Sequence, residues 1–377
     1  MLPLISILSP FLDVHYLILL TIILYLFKRS RVNLLATVLW ALTYIGLSKV
    51  LISTSIFMLL GHPKRGIKAI TIYTILALIY LLYYKLLANL SWSINYILFL
   101  AIIGGLTASL IESIDVKDNK KIVILLALAT VYTIFHIYAI DVQIEQLAIA
   151  FLISFFLSLF ATKAGVADES GLISATLIGT LTIVFSDLRF FIILLLFYTL
   201  GSAVTKYKYS LKLKRGIAEQ AGGARGYANV FSNSLVALFF VMNYGMFKHN
   251  FFIIAFVASV ATALGDTMAS EIGKTADKVY LITNFKRVKP GTSGGISLIG
   301  ELAAMLGCFI VCIFSLILGL LDVKGAIIAF ISAFIAIHID SLLGATLEKW
   351  GYLTNAGVNF FATLSAGLFC LIPLLNF

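Results

Sequence analysis

The stretch FFIIAFVASVATALGDTMASEIG, residues 251–273, decides the class of this protein. Its first part, 251–264, carries no charge and none of the apolar–polar alternation of a barrel strand, so it reads as a helix surrounded by lipid. Its second part sets Asp266 and Glu271 into the same helix, where acids are costly and therefore candidates for function. The same apolar character recurs at 122–140, 190–202 and 303–321, each close to the roughly 20 residues that cross a hydrocarbon core of about 30 Å. Of the 377 residues, 61% are hydrophobic and 12% charged, and mean hydropathy is +1.08. Soluble domains run near half apolar and about a quarter charged. The expected fold class is all-α, a polytopic integral membrane helical bundle.

With 250–273 as one helix, apolar runs predict others at about 14–27, 34–60, 69–88, 93–112, 122–140, 145–161, 171–186, 188–205, 228–247, 296–320, 325–347 and 357–375, or about 11–13 transmembrane helices. The N-terminus lacks the early basic residues and cleavage site of a signal peptide, so 14–27 is expected to be retained. The net charge of +10 does not imply nucleic acid, because the basic residues gather in short loops between apolar runs. Lys206, Lys208, Lys212, Lys214, Arg215 and Arg225 lie in one loop, and Lys274, Lys278, Lys286, Arg287 and Lys289 in another. Such loops mark the cytoplasmic face and suit anionic headgroups or phosphorylated substrates.

The two basic loops flank one helical hairpin and share a face, which also receives 163–170 and 348–355, with the acidic 141–145 segment and Asp322 opposite. The count fails earlier, where Lys28, Arg29 and Arg31 fall outside while Lys64, Arg65 and Lys68 fall inside, unless the 34–60 run breaks near Gly46 and Lys49. Cys308, Cys312 and Cys370 lie within apolar runs and read as packing residues, so no disulfide framework is expected. The acidic segment near 143 divides a chemically quiet part, 1–145, read as an accessory bundle, from 146–377, read as the catalytic domain.

Four clusters in the second part carry the chemistry. In GDTMASEIG, Gly265, Ala269 and Gly273 form a small-residue stripe for close helix packing, Asp266 and Ser270 share the adjoining face, and Thr267 and Glu271 form the next i, i+4 pair. In KRVKPGTSGGIS, residues 286–297, Gly291, Gly294 and Gly295 let backbone N–H groups approach an anion. Thr292, Ser293 and Ser297 add hydroxyls there, Lys289 adds charge, and the following helix offers its N-terminus to phosphate. In HIDSLLGATLEKW, residues 338–350, Asp340, Gly344 and Glu348 fall on one helix face, with Asn355 and Asn359 beyond, while His338 reads as a core residue. In GGARGYANVFSN, residues 222–233, Arg225 suits phosphate bidentately and Asn229 and Asn233 lie one turn apart. Lys163 precedes a further small-residue helix.

Gly273-Lys274-Thr275 resembles the end of a Walker loop, but Met268 stands where its first glycine belongs, so this is not a P-loop. Acids that hold Mg²⁺, a metal that bridges phosphates, and cations with backbone N–H groups that neutralise the rest are the equipment of phosphoryl transfer.

GDTMASEIG, ITNFKRVKPGTSGGIS, IDSLLGATLE and RGYANVFSN, in that family of motifs, resemble the phytyl-phosphate kinases of the tocopherol pathway, whose animal relative is called transmembrane protein 19. The resemblance covers roughly 146–377 and implies a polytopic enzyme that phosphorylates phytyl or geranylgeranyl monophosphate to the diphosphate, with CTP the favoured nucleoside triphosphate. Wider relatives look like dolichol kinases, phytol kinases and phosphatidate cytidylyltransferases. By that similarity Asp266, Lys289, Thr292 and Asp340 carry over as functional residues. ASLIESIDVKDNKKIVI, residues 108–124, looks like the Glu…Asp-Asn ending of phytol and dolichol kinases, with Glu112, Asp118 and Asn119 in the matching places, but no G-D-[ST] motif precedes it.

The expected enzyme holds Mg²⁺ on Asp266 and Asp340 with Glu271 assisting, cradles nucleotide phosphates on Lys289, Thr292, Gly294 and Gly295, and positions the acceptor phosphate on Arg225 and Asn229. Its catalytic residues are Asp266, Lys289 and Asp340. Its partners are a nucleoside triphosphate, an isoprenoid monophosphate and membrane lipid, without nucleic acid and with a homodimer allowed. CTP-dependent cytidylyl transfer to a lipid phosphate and transport of an anionic lipid remain alternatives.

Overall fold

The computed structural model describes residues 1–64, 66–138 and 140–374 of the chain, which divides into two compact units, Met1–Ile149 and Ala150–Phe377. Arg65 and the parts of the 122–140 and 357–375 runs that hold Ala139 and Leu375 lie outside the described residues. Among the described residues, nine helices are long and apolar enough to cross a membrane, and shorter apolar helices accompany them. The protein is an all-α polytopic membrane protein.

The first unit comprises α1 (Leu2–Ile7), α2 (Val14–Phe27), α3 (Arg31–Ala41), α4 (Lys49–Met58), α5 (Gly66–Ala88), α6 (Ile94–Ser113), α7 (Lys120–Tyr138) and the start of α8 (Ile144–Lys163). The 34–60 run is not one span. A 3₁₀ turn, Leu42–Ile45, ends at Gly46 with φ of 115°, a left-handed conformation that side chains resist, and α4 begins afresh at Lys49. Trp40 of α3 is fully buried and donates to Ser53 of α4 at 3.2 Å, so the break folds the two pieces side by side.

The second unit holds the rest of α8 with α9 (Glu169–Phe185), α10 (Leu188–Lys206), α11 (Tyr209–Lys214), α12 (Tyr227–Phe247), α13 (Asn250–Gly273), α14 (Leu298–Ile317), α15 (Val323–Leu343) and α16 (Asn355–Phe369). The opening stretch forms α13, the centre of this unit, which packs against α10, α12, α14, α15 and α16. Its burial follows from its composition, because Ala255, Ala258, Ala261 and Ala263 leave room for neighbours to approach closely. The stripe of small residues faces α14. A Cβ on Gly307 would lie 2.9 Å from the Cα of Gly265, and one on Gly300 would lie 3.0 Å from the carbonyl oxygen of Ala269.

Between α13 and α14 the chain leaves helix for a three-stranded antiparallel sheet of β1 (Val279–Leu281), β2 (Arg287–Val288) and β3 (Gly295–Ile296), in the order β2-β1-β3. The sequence reading had only a loop here. The last sheet residue leads into Ser297, whose hydroxyl accepts from Gly300 N at 3.2 Å and caps α14. On the opposite wall, α15 loosens at its end into a π turn, Gly344–Glu348, an irregularity that often marks functional positions.

Candidate active site

The two intramembrane acids meet. Asp266 of α13 and Asp340 of α15 line the same cleft, close enough for each carboxyl group to act on the other. Oδ2 of Asp340 is buried without a hydrogen-bond partner. Among the described residues neither acid has a basic side chain within 4.0 Å. Adjacent carboxylates require a cation or a shared proton between them. No group of three or more His, Cys, Asp or Glu that could hold a metal occurs among the described residues, so a closed, all-protein metal cage is absent there. Mg²⁺ does not demand one: it is commonly held by one or two carboxylates, with water and substrate phosphates completing the shell. The orphaned Oδ2 and the paired acids fit such an ion.

The pair lines a polar cleft of about 260 Å³ in the second unit. Thr267, Ser270, Asn229, Asn233, Glu348 and Asn359, all singled out from sequence, line it too. Thr267 and Ser270 direct their hydroxyl protons back to helix carbonyls, at 2.8 Å to Ala263 O and 3.2 Å to Thr267 O, and keep lone pairs free. Asn233 is buried and donates to Asn229 O at 2.9 Å, which holds the first turn of α12 in place.

The glycine-rich loop forms the facing wall, with Gly291, Thr292, Ser293, Gly294, Gly295 and Ser297 all lining the cleft. Gly294 has φ of 74°, and a Cβ on it would lie 2.5 Å from both the Ser341 carbonyl oxygen and the Ala345 Cβ. Only glycine lets the loop seat itself against the end of α15. Gly294 O accepts from Ile282 N at 3.0 Å, and Gly295 N donates to Thr292 O at 2.9 Å, so the sheet fixes the loop from behind.

Arg225 closes another side. It is 7% exposed, its guanidinium lies 4.9 Å from the Phe197 ring centroid and 5.9 Å from that of Tyr198, and Nη1 donates to Asn229 Oδ1 at 3.1 Å. Its backbone is pinned by Arg225 N to Val166 O at 2.8 Å and Asp168 N to Arg225 O at 3.2 Å. No carboxylate lies within 4.0 Å of it among the described residues. Burial pulls the guanidinium pKa down from its ordinary value, and Tyr198, Glu219 and Glu271 offset that only in part.

Three residues singled out from sequence are placed differently from the others, Glu271 on the cleft wall but engaged by lysines, Lys289 and Lys163 off the wall. Glu271, expected to assist the metal, is an anchor: one oxygen takes the fully buried Lys212 ammonium and the other takes Lys274 Nζ at 2.5 Å. Ammonium groups compete with a metal for both oxygens. Lys289, expected to cradle phosphate, is exposed and absent from the cleft wall, where its carbonyl serves the loop turn by accepting Thr292 Oγ1 at 2.7 Å. Lys163 is exposed at the end of α8 and also lies off the cleft.

Lys274 is the cation the sequence reading passed over. It lines the cleft, with Glu219 Oε1 at 2.7 Å as its second partner. Burial raises and the ammonium lowers the Glu219 pKa, with the ammonium prevailing, while the two carboxylates hold Lys274 above its ordinary value against burial. Asn355, noted beside Asn359 in the sequence, lines the cleft, and so do Ser341 and Glu301, which were not proposed for it. Glu301 sits 3.3 Å from Nε2 of His338, which gives that histidine a partner.

A family model described as integral membrane protein DUF92 matches residues 152–367, more than half of the chain. The chain belongs to this family. The match takes in every residue of the cleft and leaves out the first unit. An uncharacterized membrane protein of Methanocaldococcus jannaschii is 32% identical over 225 residues, covering 59% of this chain and 92% of that protein. An uncharacterized membrane protein of Synechocystis is 36% identical over 176 residues, 45% of this chain and 68% of that protein. Protein VTE6, chloroplastic, of Arabidopsis thaliana is 34% identical over 201 residues, 51% of this chain and 60% of that protein. No solved structure matches.

Proposed function

We propose that this protein is an integral membrane kinase that transfers the terminal phosphoryl group of a nucleoside triphosphate to an isoprenoid monophosphate, giving the diphosphate. The observation that carries the reading is the charge layout of one cleft: a carboxyl pair with an orphaned oxygen on one wall, a backbone-rich glycine loop on another, and a buried arginine without a carboxylate on a third. The motif resemblance supplies the acceptor, geranylgeranyl or phytyl phosphate, and favours CTP as donor. Membership of an integral membrane family and the shared sequence with the chloroplast protein VTE6 support a membrane-borne substrate.

Asp266 and Asp340 would hold Mg²⁺, which when bound neutralises charge on the donor phosphates. The loop 291–297 would offer backbone N–H groups and the Ser293 hydroxyl to those phosphates, with Lys274 and its two carboxylates on the adjoining wall. Arg225, with Asn229 orienting its fork, receives the acceptor phosphate. An oxygen of that phosphate forms a bond to the terminal phosphorus, and the bond from that phosphorus to the bridging oxygen breaks. The nucleoside diphosphate leaves with the electron pair. A phosphate monoester has a second pKa of about 6, so the acceptor oxygen already carries its charge at neutral pH and no general base is needed. Nucleoside triphosphates are cytosolic, and the basic loops around the cleft favour that orientation for it.

The test is turnover by the purified protein in detergent or liposomes with geranylgeranyl and phytyl monophosphates across the four nucleoside triphosphates, with Asp266→Ala as control. Isoprenoid diphosphate and nucleoside diphosphate in equal amounts are expected. Release of pyrophosphate with a CMP-lipid would assign cytidylyl transfer instead, and folded protein inactive on every pair would end the kinase reading.

A further inference from the structure

Beside the polar cleft, α8, α9 and α10 enclose a cavity of a different kind. It measures about 500 Å³ and its walls are apolar, with Ala161, Ala175, Leu194 and Leu195 among them. Arg225 belongs to both cavities and stands where they adjoin. At the same end Ser202, 6% exposed, lines the crevice and carries a buried hydroxyl with no hydrogen-bond partner, as does Ser154 at the far end. Its neighbour Gly201 makes the approach of the arginine possible, since a Cβ there would lie 2.4 Å from Arg225 Nη2.

The opposite end is shut. Gly179 of α9 meets α8 and α10 so closely that a Cβ on it would lie 2.5 Å from Ser154 Oγ and 2.7 Å from Phe191 Cε2. Phe191 continues into a packed cluster with Ala150 and Ile183. From mouth to floor the crevice runs from Ala164 to Ser154 on α8, about 15 Å, and from Lys206 to Phe191 on α10, about 22 Å, at roughly 1.5 Å per residue. An extended isoprenoid built of C–C bonds near 1.5 Å advances roughly 5 Å per isoprene unit.

We propose that this crevice seats the isoprenoid tail, with Arg225 taking the phosphate at its mouth beside Ser202 and the Gly179–Ser154–Phe191 contact forming a floor that admits about three to four isoprene units. The kinase reading supplies the identity of the tail; the geometry supplies its seat and its limit. An apolar cavity alone would suit any lipid chain, but a buried cation without a carboxylate partner at one end selects a chain that ends in an anion. A tail moving from lipid into an apolar wall gains little hydrophobic free energy, because the bilayer is as apolar as leucine. Selection by length is therefore steric, and it acts at the walls.

Ala175 lies on α9 between the mouth residue Gly171 and the floor residue Gly179, partly open to the crevice. The test compares wild type and Ala175→Phe, both checked for folding by thermal unfolding. Each is titrated with dimethylallyl, geranyl, farnesyl and geranylgeranyl monophosphates at matched mole fraction in detergent, read by ligand-induced shift in Tm and by turnover. The farnesyl-to-dimethylallyl ratio of apparent affinity is expected to fall about tenfold in the variant, the penalty of overfilling a packed site. Ser202→Ala should change binding at every length by the same factor, because it stands beside the phosphate at the mouth. Leu195→Trp fills the crevice from α10 and replaces Ala175→Phe if that variant does not fold.

Equal ratios in wild type and the filled variants would overturn the proposal, as would a diacyl phosphatidate competing as well as farnesyl phosphate. Binding with shifted ratios but no turnover leaves the tail site standing and removes the kinase reading. Turnover with unchanged ratios does the reverse.

Discussion

Replacing Arg225 by methionine separates a residue that holds the fold from one that waits for substrate. In the structure the guanidinium stacks 4.9 Å from the Phe197 centroid and gives one hydrogen bond of 3.1 Å to Asn229. Losing the stacking costs about 1 kcal/mol, and losing the hydrogen bond costs about 1 kcal/mol more. Against this, the variant no longer has to desolvate an unpaired cation, a penalty of several kcal/mol per ion. Methionine fills the same channel and keeps contact with the aromatic rings. The free protein is expected to be as stable as wild type or more stable. Binding a phosphate dianion is different, since a bidentate arginine makes two charge-assisted bonds of about 1.5–3 kcal/mol each. Their loss lowers kcat/KM by roughly 10²- to 10⁴-fold. Arg225→Lys keeps the charge without the fork and should recover part of the loss. The assays are thermal unfolding in detergent and kcat/KM for the isoprenoid monophosphate. A marked fall in Tm for Arg225→Met with normal activity per folded molecule would refute the reasoning and make the arginine a strut.

Asp340→Asn should leave the Tm of the free protein unchanged or raised, because it removes a buried charge with an orphaned oxygen, while activity falls by about 10²- to 10³-fold; the stabilisation of wild type by Mg²⁺ with a non-hydrolysable nucleoside triphosphate, read as a Tm shift, should vanish in the variant. Lys212→Met should destabilise by about 3–5 kcal/mol in denaturant unfolding, because it strips a buried partner from Glu271, and the double variant Lys212→Met/Glu271→Leu should recover part of that loss. For the Glu219–Lys274 pair, the depressed Glu219 pKa gives stability that is present above the unfolded value of about 4.3 and lost as pH falls through the folded one. The raised Lys274 pKa gives stability present below about 10.4 and lost as pH rises through its folded value. With Glu219 half exposed, Glu219→Gln should cost under about 1 kcal/mol at pH 7, and the difference from wild type should disappear in acid.

The class of fold was legible because lipid imposes a composition that soluble domains do not share. The acids Asp266 and Asp340 were legible for the same reason: a charge in an apolar run is conspicuous. Their meeting was not, since nothing in either helix states that α13 and α15 pack. The partners of Glu271 were hidden in the same way, because Lys212 stands 59 residues away in sequence and reads there as one basic loop residue among several. Lys289 misled because its neighbours in the glycine loop do line the cleft, while the β2 strand and the turn after it send its own side chain outward. The sheet itself escaped notice because strands of two and three residues are too short to show a period.

Whether a buried ionisable group is satisfied separates architecture from function in this chain. Glu112 in the first unit, matched by sequence to the ending of a kinase motif, is 2% exposed and has partners of its own, with Tyr73 hydroxyl at 2.8 Å and His62 Nδ1 at 2.7 Å on one oxygen. Asp118 and Asn119 beside it are exposed, with the Asn119 side chain accepting from Lys121 N at 3.0 Å as a local turn. That arrangement ties the carboxylate into a local polar network, and such networks specify a packing. Glu271 in the second unit is closed by its two lysines. Asp340 and Arg225 are not: each is desolvated, each lacks a partner of opposite charge within 4.0 Å among the described residues, and both face one cleft. A fold tolerates two such groups of opposite sign, held apart and not allowed to neutralise one another, when a ligand carrying both a cation and an anion comes between them. A metal-bound nucleotide facing an acceptor phosphate is a ligand of that description.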